Sequence, residues 1–369
     1  MRAGSTLITG ADGYLGLKLA RALLAGSADR LVLAVRAEPG GALSAAKRDR
    51  IAGELAELDT SRIGVVAADL TAPDALAGVD PAGITQIIHC AAVTNFNVER
   101  DLAERVNVGG TARVAEFADR CPRLRRLAFL STLYTAGRRE GRIPERRHEQ
   151  TAFVNHYEWS KWAAEEQLWS RFGHLPITSL RLCTLIADDE TGAVGQHNAF
   201  HNTLKLYYYG LLSLVPGDPA TPYYATTTDF TVSAVMSLLD PAAPGGAYHI
   251  CPDPDAIAPL GTVIDTVFEV FERDERFRRR RLLRPIVCDL DSFDDLVEAS
   301  KGLRNGPIHD AMDSVSPFAT QLFLPKVFGN EALRSAWPGY KAPDAVGMVE
   351  ATAAQLVRSR WGRGGPGFS

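Results

Sequence analysis

Short apolar runs alternate with longer stretches in which apolar residues recur every three or four positions along the first half of the chain. The apolar runs predict strands, which in order are STLITG, RLVLAVR, RIGVVAADL, ITQIIHCAA, RLAFLST and ITSLRLCTLI. The stretches between them predict helices, for example YLGLKLARALLAG and VNVGGTARVAEFADRC. Because the runs are nearly continuous in Val, Ile, Leu and Ala, they are typical of a parallel sheet covered by helices on both faces. The pattern predicts an α/β fold built on a Rossmann-type, doubly wound parallel sheet.

The pattern becomes irregular after about residue 184. Pro and Gly become frequent, loops are predicted at VPGDPATPYYATTTDF and CPDPDAIAPLG, and most of the remaining pattern is helical. We expect a sheet domain over residues 1–183, to which 225–251 return, and a smaller, mostly helical C-terminal part over 184–224 and 252–360. The glycine-rich end of the chain, 361–369, is expected to be disordered.

Composition excludes several classes of protein. The chain has 369 residues, of which 46% are hydrophobic and 23% charged, as in ordinary globular proteins. The formal net charge of -4 gives no reason to expect a nucleic-acid partner. No apolar run approaches the roughly 20 residues that cross a bilayer, and the N-terminus lacks the apolar segment of a signal peptide. The five cysteines show no paired or metal-binding spacing, so we expect a cytoplasmic protein without disulfides, a metal site or an integral membrane segment.

A glycine-rich loop joins the first predicted strand to the first predicted helix. In LITGADGYLGLKLARAL, Gly10, Gly13 and Gly16 let the backbone approach a pyrophosphate closely, and the helix N-terminus would face its negative charge. A plain strand-to-helix turn is the alternative, because the spacing GxxGxxG departs from the GxGxxG fingerprint. The flanking strand and helix favour a dinucleotide site, which would also include Tyr14 and Leu15 of the same loop.

The end of the second predicted strand bears on the choice of dinucleotide. An NAD-specific fold carries Asp or Glu there to bind the ribose hydroxyls, whereas LAVRAEPG has Arg36, whose guanidinium suits a 2′-phosphate. We therefore predict NADPH, and Glu38, just beyond, is the feature that favours NADH. Lys47 and Arg48 add positive charge nearby, but a solvated helix face is the expected role of both. Asp69, after the third predicted strand, is either an acceptor for the adenine amino group or an exposed loop acid.

A tyrosine and a lysine lie four residues apart in the predicted helix NHYEWSKWAAEEQLW. On a helix this spacing puts Tyr157 and Lys161 on one face, where the ammonium would lower the pKa of the phenol and make it a better proton donor. The alternative is a surface pair on an amphipathic helix, and the same spacing recurs at Tyr14 and Lys18. That second pair falls in the glycine loop and the first helical turn, where Tyr14 is expected to pack rather than to transfer protons.

The fifth predicted strand supplies a third group. Its end, FLSTLY, carries Ser131 and Thr132, and Thr132 precedes Tyr157 by 25 residues. In a nucleotide-binding fold, a hydroxyl at this strand end can hold a carbonyl oxygen within reach of the phenol. The hydroxyl, Tyr157 and Lys161 together predict a site for nicotinamide chemistry.

These motifs are similar to those of the extended short-chain dehydrogenase/reductase superfamily. The matching stretches are TGADGYLG, HCAA after the fourth strand, NVGGT in the following helix, ST at 131–132 and YEWSK. The resemblance implies that Tyr157 is the catalytic acid/base and that Lys161 binds the nicotinamide ribose. It also implies that Thr132, rather than Ser131, is the third catalytic hydroxyl. With the loop and strand ends above, the expected cofactor-binding residues are Gly10, Gly13, Tyr14, Leu15, Gly16, Arg36, Asp69, Leu70, Ala91, Ala92, Asn107 and Lys161.

Longer stretches resemble one branch of this superfamily, the fatty acyl-CoA reductases and the thioester reductase domains of carboxylic acid reductases and nonribosomal peptide synthetases. These stretches are HCAAVTNFNVERDLAERVNVGGT, STLYTAGRREGRIPE, NHYEWSKWAAEEQL and FGNEALR. The branch implies that an acyl or aminoacyl thioester of CoA or of a carrier protein binds the C-terminal part. It also implies NADPH-dependent reduction of this thioester to the aldehyde, which a second hydride could convert to the alcohol. An acyl or peptidyl carrier protein is the partner that it implies.

One position departs from the family pattern. The family has Arg-Pro after the sixth strand, whereas this chain has Arg181-Leu182. Because that proline helps to shape the nicotinamide end of the pocket, the departure puts the local geometry there in question.

Other functions share part of this constellation. A sugar-nucleotide epimerase or dehydratase, or a ketone or aldehyde reductase, would use the same catalytic residues, and only the branch-specific stretches favour a thioester reductase. A noncatalytic NADP-sensing regulator would have no need of Tyr157 and Lys161.

Two further segments bear on the acyl donor. FHNTLKLYYYGLLSLV is a candidate lining for an acyl tunnel or a contact with a membrane surface, but ordinary packing of the C-terminal part is expected. Arginines are concentrated in ERDERFRRRRLLR, where they could steer an acidic carrier protein or CoA, although a solvated face or linker is expected. This basic strip consists of Arg276, Arg278, Arg279, Arg280, Arg281 and Arg284.

Overall fold

The computed structural model of the chain describes residues 4–36, 45–301, 312 and 315–361. Its strands are β1 (Ser5–Thr9), β2 (Arg30–Arg36), β3 (Ile63–Ala68), β4 (Ile84–His89), β5 (Arg126–Thr132), β6 (Gly141–Ile143), β7 (Ile177–Leu182), β8 (Thr184–Ala187), β9 (Leu214–Pro216), β10 (Ala225–Thr227), β11 (Gly246–Ile250), β12 (Ile286–Cys288) and β13 (Lys326–Phe328).

Seven of these strands form one parallel sheet in the order β11-β7-β5-β4-β1-β2-β3. The order reverses between β1 and β4, because the chain crosses from β3 at one edge back to the centre of the sheet. The predicted doubly wound α/β fold is confirmed, and five predicted strands match β1 to β5 within a few residues. The sixth predicted strand contains two: β7 stays in the sheet, whereas β8 leaves it after Cys183 and pairs with β10.

Helices cover both faces of the sheet. They are α1 (Tyr14–Gly26), α2 (Ala45–Leu55), α3 (Arg100–Ala103), α4 (Gly110–Asp119), α5 (His156–Arg171), α6 (Ala199–Tyr209), α7 (Thr228–Leu238), α8 (Leu260–Glu272), α9 (Glu275–Arg279), α10 (Leu290–Lys301), α11 (Glu331–Ala336) and α12 (Ala345–Arg358). A π-helical stretch, Glu104–Gly109, joins α3 to α4. Within the described ranges, each helix is too short or too polar to cross a membrane.

Successive side chains of a strand point to opposite faces of the sheet, so each face has its own core. Leu7 and Ile87 pack on the face covered by α4 and α5, whereas Ile8 and Ile88 pack on the face covered by α1, α2 and α7. The segment 225–251, which was expected to return to the sheet domain, contributes α7 to one face and β11 to the edge. The nearly continuous apolar runs of the sequence reflect this burial on two sides.

The C-terminal part forms a third core, in which α6, α8 and α12 pack together. Trp361, the first residue of the predicted disordered tail, is 5% exposed in this core and lies against the rings of Tyr208 and Phe271. The packed chain therefore extends at least to Trp361. Burial of its large indole ring removes apolar surface from water and stabilises this end of the chain in the core. The remainder of the predicted tail, 362–369, lies outside the described residues.

Candidate active site

The glycine loop lies where β1 meets α1, and two of its glycines are required by close backbone approach. Gly10 has φ +66°, and a Cβ atom there would lie 2.8 Å from the Cα and N atoms of Ala91. A Cβ at Gly16 would lie 2.4 Å from the Gly10 carbonyl oxygen, so the first turn of α1 packs directly on the loop. Gly13 is the N-cap of α1 and provides no side-chain hydrogen bond. The first N–H groups of α1 are therefore available to donate hydrogen bonds to an anion.

The second tyrosine–lysine pair anchors this loop. The Tyr14 hydroxyl bonds to the Asp188 carboxylate and lies 2.7 Å from Thr228 Oγ1, while Lys18 Nζ lies 3.2 Å from Asp188 Oδ2. Burial, and then the Asp188 carboxylate, raise the pKa of Tyr14. Tyr14 and Leu15 line the cleft, and Tyr14 and Lys18 join the glycine loop to the segment that follows β8.

Basic residues surround the end of β2. Arg36 is exposed there, and Lys47 Nζ donates to the Arg36 carbonyl oxygen at 2.6 Å and lies 3.6 Å from the Asp12 carboxylate. Lys47 thus reaches back to the glycine loop, contrary to the solvated helix face expected from the sequence. Asp69 accepts hydrogen bonds from the Thr71 N–H and hydroxyl, and these bonds, with the charge of Arg36, lower the pKa of Asp69. Glu38 lies outside the described residues.

Other predicted cofactor residues lie around or behind the cleft. Ala92 lines it, whereas Leu70 is buried against α4. Asn107, in the π-helical stretch, exchanges hydrogen bonds with the backbone of Val93 at 2.9 and 3.0 Å and donates to Ser160 Oγ at 2.8 Å. The amide of Asn107 therefore ties the loop after β4 to helix α5, and π-helical turns are often found at such functional positions.

Helix α5 brings Tyr157 and Lys161 to the cleft on successive turns. Asn155 caps the helix by accepting a hydrogen bond from the Glu158 N–H at 3.0 Å. Lys161 is 3% exposed, donates to the Leu130 carbonyl oxygen at 2.6 Å and lies 4.0 Å from the centre of the Phe129 ring. This burial lowers the pKa of Lys161 to about 7.

The predicted effect of Lys161 on the tyrosine is wrong. Burial raises the pKa of Tyr157, and a hydrogen bond with Thr132 acts in the opposite direction. The ammonium of Lys161 is directed to the end of β5 instead of the phenol, as its bond to Leu130 shows. At neutral pH Tyr157 is therefore a fully protonated phenol, which is the form that donates a proton.

The two hydroxyls at the end of β5 have different environments. Ser131 donates to Glu165 Oε1 at 2.5 Å, so its hydroxyl belongs to a buried polar cluster. Thr132 accepts from the Tyr134 N–H at 3.3 Å, which leaves its own proton for an acceptor in the cleft. Of the two, Thr132 is the hydroxyl positioned beside Tyr157.

The cluster behind Ser131 contains an ion pair that sequence reasoning missed. Arg181 and Glu165, whose side chains are 0% and 3% exposed, are joined at 2.7 Å, and Arg181 also lies 2.8 Å from His148 Nε2. Two signals were present in the sequence: a charged residue within an apolar strand, and a glutamate one helical turn after Lys161.

The Arg-Leu departure leaves β7 regular. Leu182 pairs with Thr132 of β5 on one side and with Ile250 of β11 on the other, and its side chain lines the cleft. Because leucine retains the N–H group that proline lacks, the ladder continues through this position.

One cavity of about 490 Å³ joins these groups. It runs from the glycine loop past Thr132, Tyr157 and Lys161 to an end surrounded by the C-terminal part, here termed the apolar chamber. Phe96 stands edge-on to Tyr157, at 5.7 Å between ring centres. No local motif indicates Phe96 or Asp188, since both lie in loops. The apolar chamber is lined by Phe200, Leu204, Tyr207, Val215, Pro216, Tyr223, Leu260, Val263, Ile264, Val315, Phe318 and Leu322.

The basic strip is exposed but largely paired within the chain. Arg276 pairs with Asp274, Arg279 pairs with Glu275 at 2.5 Å, and Arg284 pairs with Asp265. Arg280 donates to a backbone carbonyl of α6 and lies over its C-terminal tyrosine rings. Exposed pairs of this kind are weak and can exchange partners.

Comparisons with known proteins identify the family and the fold of the chain. A family model for NAD-binding domains, described as Male sterility protein, matches residues 8–235. D-erythronate dehydrogenase of Cupriavidus necator is 26% identical over 239 residues, which cover 63% of this chain and 71% of that protein. A linear gramicidin synthase polypeptide of Brevibacillus parabrevis is 29% identical over 207 residues, 51% of this chain but 4% of that protein. Fatty acyl-CoA reductase 2 (chloroplastic) of Arabidopsis thaliana is 40% identical over 60 residues, 16% of this chain and 10% of that protein.

Solved structures share the fold. The terminal R domain from the myxalamid PKS-NRPS biosynthetic pathway superposes with a TM-score of 0.76 at 21% identity, over 97% of this chain and 91% of that chain. A thiolation-reductase di-domain from an archaeal nonribosomal peptide synthetase gives 0.72 at 16% identity, over 98% and 76%. UDP-glucuronic acid 4-epimerase from Bacillus cereus, in complex with NAD, gives 0.65 at 16% identity, over 97% and 99%.

The family match covers more than half of the chain, and it includes the glycine loop, Thr132, Tyr157 and Lys161. The predicted resemblance to the extended short-chain dehydrogenase/reductases is thereby confirmed. The chain belongs to the Male sterility protein family and is an NAD(P)-dependent oxidoreductase with the extended short-chain dehydrogenase/reductase fold.

Proposed function

We propose that this chain is an NADPH-dependent reductase of an acyl thioester, which it converts to the aldehyde. The observation that carries the proposal is the continuity of one cavity, in which the glycine loop, the three catalytic groups and the apolar chamber follow one another. A thioester carbonyl held at Thr132 and Tyr157 would direct its acyl group into this chamber. The likeness to a reductase domain of a peptide synthetase pathway, and to a fatty acyl-CoA reductase, supports the same reaction.

The residues around the nucleotide end fit NADPH. The uncapped N-terminus of α1 offers N–H groups to the pyrophosphate, and Arg36 offers a guanidinium to the 2′-phosphate. Lys47 brings a second cation to the end of β2, and Arg113 is close enough to lower the pKa of Asp69 together with Arg36. Positive charge concentrated here favours the phosphorylated cofactor.

The proposed chemistry requires a proton donor and an oxyanion site. When bound, NADPH supplies the hydride that the thioester carbonyl carbon receives. Thr132 and Tyr157 donate hydrogen bonds to the carbonyl oxygen and stabilise the negative charge that develops on it. Tyr157 then passes its proton to this oxygen, which gives a hemithioacetal.

The second half of the reaction breaks the thioester linkage. The carbon–sulfur bond of the hemithioacetal cleaves as its hydroxyl proton returns to Tyr157, and the thiolate leaves with a proton from solvent. The products are an aldehyde and a free thiol. The thiol belongs to CoA or to the prosthetic arm of an acyl or peptidyl carrier protein. Reduction of the aldehyde to the alcohol would repeat the first half with the same residues.

A sugar-nucleotide enzyme is the second candidate, since the epimerase likeness extends over 99% of that chain. A nucleoside diphosphate sugar needs cations or N–H donors on the substrate side. Among the described residues that line the cavity, the cation is Lys161, and it lies beside Tyr157. The apolar chamber therefore favours the acyl thioester.

The test is NADPH consumption with acyl-CoA and acyl-carrier thioesters, with sugar nucleotides and free ketones as the second panel. We expect turnover of a thioester, loss of at least about 100-fold in kcat for Tyr157→Phe, and unchanged NADPH binding by that variant. Tyr209→Phe, at an exposed tyrosine, is the matched control and should keep full activity. NADPH binding with turnover confined to the second panel would overturn the proposal.

A further inference from the structure

The wall of the apolar chamber is assembled from separate segments of the C-terminal part. Helix α6 turns Phe200, Leu204 and Tyr207 into it, and these positions, three or four apart, form one helical face. The opposite side comes from α8, with Val263 and Ile264, and further sides come from β9 and from the segment 315–322. Ordinary packing was expected for the α6 segment, and Phe200 and Leu204 do belong to the third core, but they also line the cavity.

Charge is confined to the other end of the cavity. Among the described lining residues, the charged ones are Lys161, beside Tyr157, and Asp188, which Tyr14 and Lys18 hold. Three polar side chains nearer the chamber have partners within the chain. Thr203 and Asn198 donate to backbone carbonyls at 2.8 and 2.6 Å, and Gln321 donates to Glu158 at 2.8 Å.

The Tyr207 hydroxyl is a buried polar group in this wall. It has no hydrogen-bond partner among the described residues and stays a neutral phenol, since burial raises the pKa of Tyr207. The chamber can therefore offer a ligand apolar surface and a neutral hydrogen bond, but no counter-charge.

We propose that the apolar chamber selects acyl groups that are uncharged and apolar along their length. This inference rests on the proposed function, because it takes the carbonyl carbon to lie at Thr132 and Tyr157. Each methylene that the chamber buries would raise kcat/KM about fourfold until the chamber is full. A carboxylate or ammonium at the far end of the acyl chain would lose its hydration without gaining a partner.

Substitution of Val263 can test whether the chamber limits the length of the acyl chain. Its side chain is 5% exposed, belongs to the third core and faces the cavity from the first turns of α8. Tryptophan at this position would project into the chamber and shorten it. Val346 on α12 is 41% exposed and lies outside the cavity lining, so Val346→Trp is the matched control.

The experiment measures kcat/KM for pantetheine thioesters of straight-chain acids of increasing length, and for the same acids ending in a carboxylate. For the wild type we expect a rise with length and a loss of about 100-fold or more on adding the carboxylate. Val263→Trp should lower the ratio of long-chain to short-chain kcat/KM at least about tenfold, and Val346→Trp should keep the wild-type ratio.

Each failure has its own signature. Turnover of every thioester at rates independent of length, or a preference for the carboxylate-ended acids, would overturn the acyl subsite while leaving the thioester reductase intact. Turnover of no thioester by an enzyme that binds NADPH would overturn the proposed function itself. If Val263→Trp does not fold, the comparison of methyl-ended and carboxylate-ended acids by the wild type still decides the inference.

Discussion

The buried Glu165–Arg181 pair makes the strongest prediction about stability. We consider Glu165→Ala. It removes the acceptor of three Arg181 hydrogen bonds, at 3.1, 3.1 and 2.7 Å, and of the Ser131 hydroxyl at 2.5 Å. Burial alone would raise the pKa of Glu165, but the Arg181 charge and hydrogen bonds outweigh it and hold the pKa below its ordinary value. The carboxylate is therefore ionised at neutral pH, and the substitution leaves a guanidinium that is 0% exposed without its counter-ion.

The expected cost follows from that geometry. Removing one partner of a buried ion pair costs roughly 3–5 kcal/mol, and an orphaned buried hydroxyl adds about 1 kcal/mol. Since single domains are stable by about 5–15 kcal/mol, Glu165→Ala would remove a large part of the free energy of unfolding. Urea unfolding at pH 7, followed by tryptophan fluorescence, measures it.

Two companion variants separate the charge from the packing. Glu165→Leu combined with Arg181→Met replaces the pair by apolar side chains, and it should recover at least half of the loss because neither charge is left buried. Glu166→Ala, next in the chain, breaks only the exposed pair with Arg147 and should cost less than about 1 kcal/mol. A loss below about 1 kcal/mol for Glu165→Ala, or a double variant as unstable as the single one, would refute the reasoning.

Two further predictions concern the cofactor and acid stability. Gly10→Ala should weaken NADPH binding at least about tenfold, because its methyl group would meet Ala91 and its φ of +66° disfavours a side chain; equal affinities by fluorescence titration would contradict this. His201 is buried with its pKa lowered to about 4, so below pH 6.5 the unfolded chain binds a proton that the folded chain does not. Relative to His201→Gln, the wild type should lose about 2 kcal/mol between pH 7 and pH 5, and parallel pH profiles of the two proteins would count against it.

Local patterns were sufficient to predict most of the sheet and helix α5. The strands β1 to β5, the glycine loop and α5 each depend on residues close together in sequence, whose apolar spacing reflects the faces they bury. Tyr157 and Lys161 could be paired because a helix brings residues four apart together. The division of ITSLRLCTLI into two strands could not be foreseen, because it depends on β10, about 40 residues later.

Contacts with residues distant in the sequence determine the environments of side chains whose roles the sequence left open. Ser131 and Thr132 are adjacent and chemically similar, and they differ because Glu165, 34 residues later, binds only the first. Lys47 was expected to face solvent, but its ammonium reaches Arg36 and Asp12 across a chain segment of no recognisable pattern. Such contacts follow from tertiary packing, which the hydrophobic periodicity of the sequence does not predict.

Helix α5 carries several buried ionisable side chains, and each of them has a partner on another element. Glu158, Lys161 and Glu165 are buried, and their partners lie on three different elements. Glu158 accepts from Gln321 of the cavity wall at 2.8 Å, Lys161 donates to a carbonyl of β5, and Glu165 pairs with β7. Directional hydrogen bonds to three elements act together with the apolar packing of the helix to fix its orientation. The phenol of Tyr157 is held beside Thr132 by its hydrogen bond with that residue and by the position of α5, to which these buried neighbours contribute.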